Sequence, residues 1–223
     1  MDSVSLIAET FAPLGGKTLL DVGCGRGALI RTLASLGACT WGADPSEDAV
    51  ATARENAPGA LIHVANAENL PFEDESADGV IFVNSLHHIA GMHEALRQAE
   101  RIMREDIGRT IIIEPLASGS FFSALKPLED ETDVRSKAQE AIQNALSTQL
   151  FRLVRIEEFN RRETFDDVDA FLKRVSATDP ARELIIRDRR VFVQEAFNGV
   201  AAKDSAGRYV LDQPLRAHIL ATS

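Results

Sequence analysis

Along the first half of the chain, short apolar runs alternate with segments whose apolar residues recur at helical spacing. A short apolar run bounded by turn residues is typical of a strand buried on both faces of a parallel sheet, whereas a spacing of three to four residues indicates an amphipathic helix. The runs predict strands at 17–22, 39–43, 60–64, 78–83 and 109–114. The helical segments are a first helix capped at Ser3–Ser5, then 28–36, a helix capped by Ser46, and 93–104. This alternation predicts an α/β fold with a doubly wound, mostly parallel sheet.

The alternation of apolar runs and helical segments becomes less regular after Pro115. A charged helical stretch is predicted over about 129–146, and we interpret 116–149 as a helical cap inserted over a ligand cleft. The remaining elements are predicted strands at 150–159 and 215–221 and predicted helices at 166–175 and 184–202. No linker rich in Pro, Gly or Ser separates the two halves. We therefore expect a single domain over 1–223 with about seven strands.

The chain combines an ordinary globular composition with an acidic charge. Its 223 residues are 45% hydrophobic and 26% charged, which is typical of one globular domain. The formal net charge of -10 repels the phosphate backbone of nucleic acids, so we expect no nucleic-acid partner. No apolar segment approaches the length of a membrane span and no leader pattern is visible, so we expect a cytoplasmic protein without a membrane partner.

The sequence leaves other partners open. Cys24 and Cys39 have neither a disulfide framework nor metal-ligand spacing, and no metal site is expected. The charged stretch at 129–143 suits a lid as well as a dimer surface, so the protein is expected to be a monomer or a homodimer.

A glycine-rich turn directly follows the first predicted strand. Gly23, Gly25 and Gly27 occupy alternate positions behind Asp21. Glycine permits positive φ and a close approach of the backbone to a ligand, so this turn predicts a ligand site. Dinucleotide folds favour the spacing Gly-x-Gly-x-x-Gly, and a carboxylate beside the turn would repel a pyrophosphate. A ligand that carries a positive charge fits the turn better.

The segment 19–27, with Cys24 inside the turn, resembles motif I of the class I S-adenosylmethionine-dependent methyltransferases. The segment 41–46 is similar to the second-strand motif of that family, which implies that Asp44, followed by Pro45, binds both ribose hydroxyls. Independently, an acid about 20 residues after a glycine turn is what ribose recognition requires in such folds.

The resemblance continues at the third and fourth strands. The segment 65–72 is similar to the family's third-strand motif, which implies that Asn66 and the backbone of Ala67 contact the adenine edge. Asn66 stands where the family usually has Asp, and Asn can donate as well as accept. The segment 78–88 resembles the fourth-strand motif, whose end at Asn84 and Ser85 lies beside the methionine moiety in the family.

The resemblance covers about residues 17–115 and points to the small-molecule, methyltransferase-11-like branch. It departs from the family pattern at 105–108, where a Pro-Gly-Gly turn is usual. It implies a Rossmann-like fold, S-adenosylmethionine as cofactor, and in-line transfer of a methyl group to a small molecule that the sequence does not identify. Such a transfer gains rate from alignment and from exclusion of water, so no catalytic nucleophile is required.

Three residues are candidates for a general base, in the order His88, His87 and Glu114. Histidine titrates near neutral pH, and the pair follows a strand end that faces the predicted cleft. Glu114 ends the fifth predicted strand at the edge where open α/β sheets bind ligands. The alternative interpretation is that the histidines pack and do not catalyse.

Two other functions stay open at the level of the sequence. A protein that binds S-adenosylmethionine or S-adenosylhomocysteine without transferring methyl is compatible with the absence of an obvious base. A nicotinamide oxidoreductase is disfavoured by the glycine spacing.

Overall fold

The computed structural model describes residues 2–178 and 182–223. These residues form two compact units. Unit 1 contains Met1–Glu114, Lys137–Glu157 and Arg216–Ser223, and unit 2 contains Pro115–Ser136 and Glu158–Leu215. None of the helices within the described residues is long and apolar enough to cross a membrane.

Eight strands form one sheet. They are β1 (Thr18–Val22), β2 (Cys39–Asp44), β3 (Leu61–Val64), β4 (Gly79–Val83), β5 (Arg109–Pro115), β6 (Arg152–Phe165), β7 (Ala202–Lys203) and β8 (Tyr209–Ala221). Their order is β3-β2-β1-β4-β5-β8-β6, with β7 paired to β8 in antiparallel orientation. The first five strands pair in parallel. The predicted α/β class with a mostly parallel sheet is confirmed.

The described residues contain eight α-helices, of which the first four precede β1 and follow β1, β2 and β4, as predicted. They are α1 (Ser3–Thr10), α2 (Ala28–Ser35), α3 (Glu47–Asn56), α4 (Met92–Ile102), α5 (Ser120–Leu125), α6 (Thr132–Ser147), α7 (Val168–Thr178) and α8 (Arg182–Val200). Ser46 caps α3 by accepting the Ala49 N–H at 3.2 Å, as expected. The predicted cap of α1 at Ser3–Ser5 is wrong, because Asp2 is the residue that accepts the Ser5 N–H.

The core of unit 1 covers the central strands of the sheet. Leu19 and Leu20 are both almost fully buried, so β1 is covered on both faces. Apolar residues of β1, β4 and β5 pack with α4 and with Ala138 and Ile142 of α6. A second cluster joins Ile30 of α2 to residues of α3. These layers place the carboxyl ends of β1, β2 and β4 at one edge, where ligands bind in such sheets.

Unit 2 has its own aromatic core. Phe171 of α7 is fully buried, with ring centroids 5.5 Å from Phe121 and from Phe165 and 5.3 Å from Phe197. The short helix α5 and the strand β7 in this unit were not predicted. Strand β8 begins at Tyr209, six residues before the predicted start. The single-domain boundary at 1–223 and the cap role of 116–149 stay predictions.

Candidate active site

The glycine turn after β1 is held by the end of β2. The Gly23 N–H donates to the Ala43 carbonyl at 2.8 Å, and the Cys24 N–H donates to the same oxygen at 3.1 Å. The Gly27 N–H then closes the turn on the Cys24 carbonyl at 3.0 Å. Strand β1 and helix α2 are therefore joined by a turn whose path is fixed by the neighbouring strand.

All three predicted glycines have left-handed backbones, with φ of 76° at Gly23, 51° at Gly25 and 77° at Gly27. Side chains other than glycine rarely adopt this region. A Cβ on Gly23 would lie 2.6 Å from the Ser85 Cβ, and one on Gly27 would lie 3.0 Å from the Ala53 Cβ. At Gly25 a Cβ would meet nothing within 4 Å. Two glycines thus allow close packing, whereas the third leaves open space above the turn.

Asp44 bridges the glycine turn and the start of α3. Its Oδ2 accepts the Gly25 N–H at 2.9 Å, and its Oδ1 accepts the Ser46 N–H at 2.9 Å. A carboxylate oxygen can accept a second hydrogen bond, so each oxygen retains acceptor capacity. The carboxylate is consequently oriented and still able to bind two neighbouring hydroxyl groups.

Asp21 is a buried carboxyl group at the base of the turn. Only 5% of the residue is exposed, and among residues 2–178 and 182–223 no group donates a hydrogen bond to its carboxylate. Burial, together with the negative charge of Asp44, raises its pKa from 3.8 to about 7. Burial and the two carboxylates also raise the pKa of the Cys24 thiol to about 12, so Cys24 is a neutral packing residue. Within the described parts of the chain, no cationic side chain forms an ion pair with Asp21.

A cavity of about 590 Å³ lies in unit 1 at this edge of the sheet. Five predicted site residues line it: Gly23, Pro45, Asn66, Ala67 and His88. Its wall also includes Val22, Ala43 and Ile89, so most of the lining is apolar. A cavity of this size is within the usual range for small-molecule and cofactor sites.

The loop after β4 contacts the glycine turn. Asn84 has a left-handed backbone with φ of 52°, which Asn tolerates better than most residues. The Ser85 hydroxyl donates to the Val22 carbonyl at 2.7 Å, and the side chain is buried. The structure thus brings Ser85 against the turn, and contact of Asn84 and Ser85 with a methionine moiety stays a prediction.

Glu114 and the histidine pair occupy different environments. Glu114 is fully buried, and its Oε1 accepts the N–H groups of Ser85 at 3.0 Å and Leu86 at 2.9 Å. Its Oε2 forms a hydrogen bond with Nδ1 of His87, and the His87 side chain is also buried. His88 is exposed and lines the cavity. Of the three candidate bases, His88 is the one that lines this cavity.

Sequence reasoning missed two residues that shape this site. Glu68 lines the cavity and accepts the Gly91 N–H at 2.8 Å, which ties the loop after β3 to the start of α4. Arg101 donates to the carbonyls of Leu70 at 3.0 Å and Phe72 at 2.9 Å. Glu68 lies within the third-strand motif and could have been found there. Nothing in the spacing of Arg101 indicates its partners.

The arrangement suits a ligand with two charged or polar ends. A buried carboxyl group without a cation at Asp21 favours a positively charged group nearby. An oriented carboxylate at Asp44 suits a pair of hydroxyls, and the apolar wall of the cavity suits a flat ring system.

Part of this chain matches a known protein family. Residues 20–111 match the sequence model of the family described as "Methyltransferase domain". An uncharacterized 37.1 kDa protein in transposon TN4556 of Streptomyces fradiae is 36% identical over 117 residues, which are 50% of this chain and 34% of that protein. A ubiquinone biosynthesis O-methyltransferase of Sinorhizobium medicae is 40% identical over 82 residues, which are 35% of this chain and 33% of that protein. The chain therefore matches about a third of the length of these relatives.

The fold is also found in solved structures. The YcgJ protein of Bacillus subtilis superimposes with a TM-score of 0.68 over 99% of this chain and 98% of that chain, at 22% sequence identity. At this identity the likeness shows the fold alone. Residues 20–111 of this chain are therefore similar to the methyltransferase domain family, and the chain has the fold of the YcgJ structure.

Proposed function

We propose that this protein is an S-adenosylmethionine-dependent methyltransferase that acts on a small molecule. The observation that carries the proposal is the pair of carboxylates at the glycine turn. Asp21 is buried without a cation, and Asp44 is held by the Gly25 and Ser46 N–H groups. S-adenosylmethionine offers the matching groups, namely an ammonium and two ribose hydroxyls.

The residues present fit this cofactor on further grounds. The open space over Gly25 allows the backbone to be approached closely, which a Cβ would hinder. Asn66 and Ala67 line the same cavity as Gly23 and can contact the adenine edge. Asn84 and Ser85 follow β4 beside the turn, where the methionine moiety would bind.

Bound S-adenosylmethionine supplies a methyl group on a positively charged sulfur, which is reactive toward nucleophiles in line with the carbon–sulfur bond. The contribution of this chain is to align the reactants and to exclude water. The apolar wall formed by Val22, Ala43 and Ile89 serves the second purpose. The acceptor's own nucleophilic atom performs the attack, so no protein nucleophile is needed.

We further propose that the acceptor atom is a hydroxyl oxygen of a small molecule. The support is the similarity to the relative from Sinorhizobium medicae, which is a ubiquinone biosynthesis O-methyltransferase. A hydroxyl must lose its proton during the transfer, and His88 at the cavity wall is placed to accept it. Glu114 cannot reach a methyl acceptor in this conformation, because its side chain is fully buried. Both of its carboxylate oxygens also accept hydrogen bonds from the loop after β4.

The proposal is tested in two stages. First, calorimetry measures binding of S-adenosylmethionine, S-adenosylhomocysteine and NAD to the purified protein. The first two ligands should bind and NAD should not. At about 100 times its Kd, either ligand should raise the free energy of unfolding by about 2.7 kcal/mol. No stabilisation by either ligand would overturn the proposal.

Second, S-adenosylmethionine labelled in its methyl group is incubated with the protein and with small-molecule extracts. Transfer of label to an extractable compound is the expected result. A matched series of acceptors with a hydroxyl, an amine or a thiol on the same ring then identifies the acceptor atom. Binding without any transfer of label would instead indicate a cofactor-binding protein.

A further inference from the structure

The loop after β4 takes its shape from a carboxylate on the neighbouring strand. The loop continues into a short 3₁₀ turn at Leu86–His88. The first N–H groups of a helical turn have no partner within the turn and need acceptors from elsewhere. Glu114 at the end of β5 provides one, because its Oε1 accepts from both Ser85 and Leu86.

The same carboxylate also fixes a side chain of the turn. Glu114 Oε2 is bonded to Nδ1 of His87. A fully buried carboxylate is costly unless its acceptors are satisfied, and here three donors from one loop satisfy it. Because a carboxylate oxygen accepts, Nδ1 of His87 carries the proton of this hydrogen bond.

This arrangement also affects His88, which lines the cavity. The rings of His87 and His88 are in contact, with centroids 3.9 Å apart. The His88 N–H donates to the Ser85 carbonyl at 3.1 Å, so the backbone of His88 depends on the same turn. His88 is the member of the pair that lines the cavity.

We propose that Glu114 and His87 form a buried positioning pair, which holds the loop after β4 in the conformation that presents His88 to the cavity. This inference rests on the proposed function for its role in methyl transfer. Neither member of the pair contacts the acceptor. Glu114 acts as the capping acceptor of the turn, and His87 transmits its position to the neighbouring ring.

The test compares substitutions at Glu114 with a matched control on the same strand. Glu114→Gln retains an oxygen for the Ser85 and Leu86 N–H groups but places an NH₂ group against His87 Nδ1. The imidazole must then move its proton to Nε2. Glu114→Ala removes all three acceptor contacts. Thr110→Val is the control, because Thr110 is also fully buried on β5 but its hydroxyl contacts Met103.

Nitrogen-15 spectra of the imidazoles and amide hydrogen exchange are measured without any ligand. In Glu114→Gln, the signals of His87 should change to the Nε2–H pattern and those of His88 should shift, while the Ser85 and Leu86 amides stay protected. In Glu114→Ala, both amides should exchange faster. The control should resemble the wild type. The proposed positioning role of Glu114 and His87 would be contradicted by unchanged His88 signals in Glu114→Gln. Unchanged amide protection in a folded Glu114→Ala would also contradict it.

A cofactor titration then separates this inference from the proposed function. Binding of S-adenosylhomocysteine to Glu114→Ala should weaken roughly tenfold to hundredfold, as expected when charge-assisted hydrogen bonds that shape a site are lost. If the wild type binds no S-adenosylhomocysteine, the proposed function fails. The spectra without ligand still decide whether Glu114 and His87 position the loop.

Discussion

Gly23 and Ser85 are in such close contact that a Cβ on the glycine would lie 2.6 Å from the serine Cβ. Real Cβ atoms do not approach so closely, so the turn after β1 and the loop after β4 can meet only if position 23 lacks a side chain. The Ser85 hydroxyl adds a hydrogen bond to this contact, because it donates to the Val22 carbonyl at 2.7 Å. This junction joins two of the segments that form the candidate site.

Replacing Gly23 by Ala should therefore destabilise the protein more than replacing Gly25. Both substitutions force a left-handed Ala, which costs about 1–3 kcal/mol. Only the first also creates an overlap, which adds roughly 1–3 kcal/mol. Urea unfolding of the two variants without ligand measures the difference. Equal stabilities would contradict the close packing of Gly23 on Ser85.

Asp44→Asn should weaken cofactor binding much more than it weakens the fold. The amide retains one oxygen for the Gly25 or Ser46 N–H, so the loss of stability should be about 1 kcal/mol. Affinity for S-adenosylhomocysteine should fall roughly tenfold to hundredfold, because the amide accepts fewer hydroxyl hydrogen bonds. Calorimetry measures the affinity. Asp48→Asn, at an exposed position in the first turn of α3, is the control and should bind as the wild type does.

The contribution of Asp21 to the stability of the protein without ligand should fall as pH rises from about 4 to about 7. The pKa of Asp21 is raised by burial from 3.8 to about 7, so the folded state binds more protons than the unfolded state in this interval. Stability from this group is fully present below pH 4 and is lost as pH passes 7. The loss is on the order of 4 kcal/mol.

Asp21→Asn isolates this effect from all other titrating groups. The difference in unfolding free energy between variant and wild type should be small near pH 4 and should favour the variant above pH 7. Urea titrations at one-unit pH intervals measure it. Parallel curves for the two proteins would show that Asp21 does not carry the raised pKa. The variant should also bind S-adenosylhomocysteine more weakly, because it cannot provide the negative charge.

Phe171→Ala should cost roughly 3–5 kcal/mol, because it removes a fully buried ring from the aromatic core of unit 2. Phe192→Ala is the matched control, since 63% of Phe192 is exposed on α8. Its effect should stay within about 0.5 kcal/mol. Urea unfolding followed by circular dichroism compares the two. A mild effect at Phe171 would contradict the role of this cluster as the core of its unit.

Much of the sheet could be predicted because β1 to β5 are nearly continuous apolar runs bounded by turn residues. The later strands were predicted less well. Strand β6 continues to Phe165 through an alternation of charged and half-buried residues that resembles a surface loop in sequence. Strand β8 begins at Tyr209 and continues through Pro214, whereas the predicted strand begins only at residue 215.

In the candidate site, too, features set by neighbouring residues could be predicted, whereas contacts between residues distant along the chain could not. The glycine turn could be predicted because a left-handed backbone at three positions favours glycine. The partners of Glu114 could not, because they lie 27 to 29 residues away along the chain and are set by the pairing of β4 with β5. Sequence reasoning placed Glu114 at the correct edge of the sheet and could not foresee that its oxygens were already bonded.

The hydrogen bonds that Glu114 accepts from the loop after β4 also impose an order on folding. The loop after β4 cannot gain its capping acceptor until β5 has been synthesised and has paired with β4, which is a contact of high sequence separation. The match to the methyltransferase domain ends at residue 111, before this acceptor. A minimal fragment cut at that boundary would contain every glycine of the turn and still lack the group that closes the neighbouring loop.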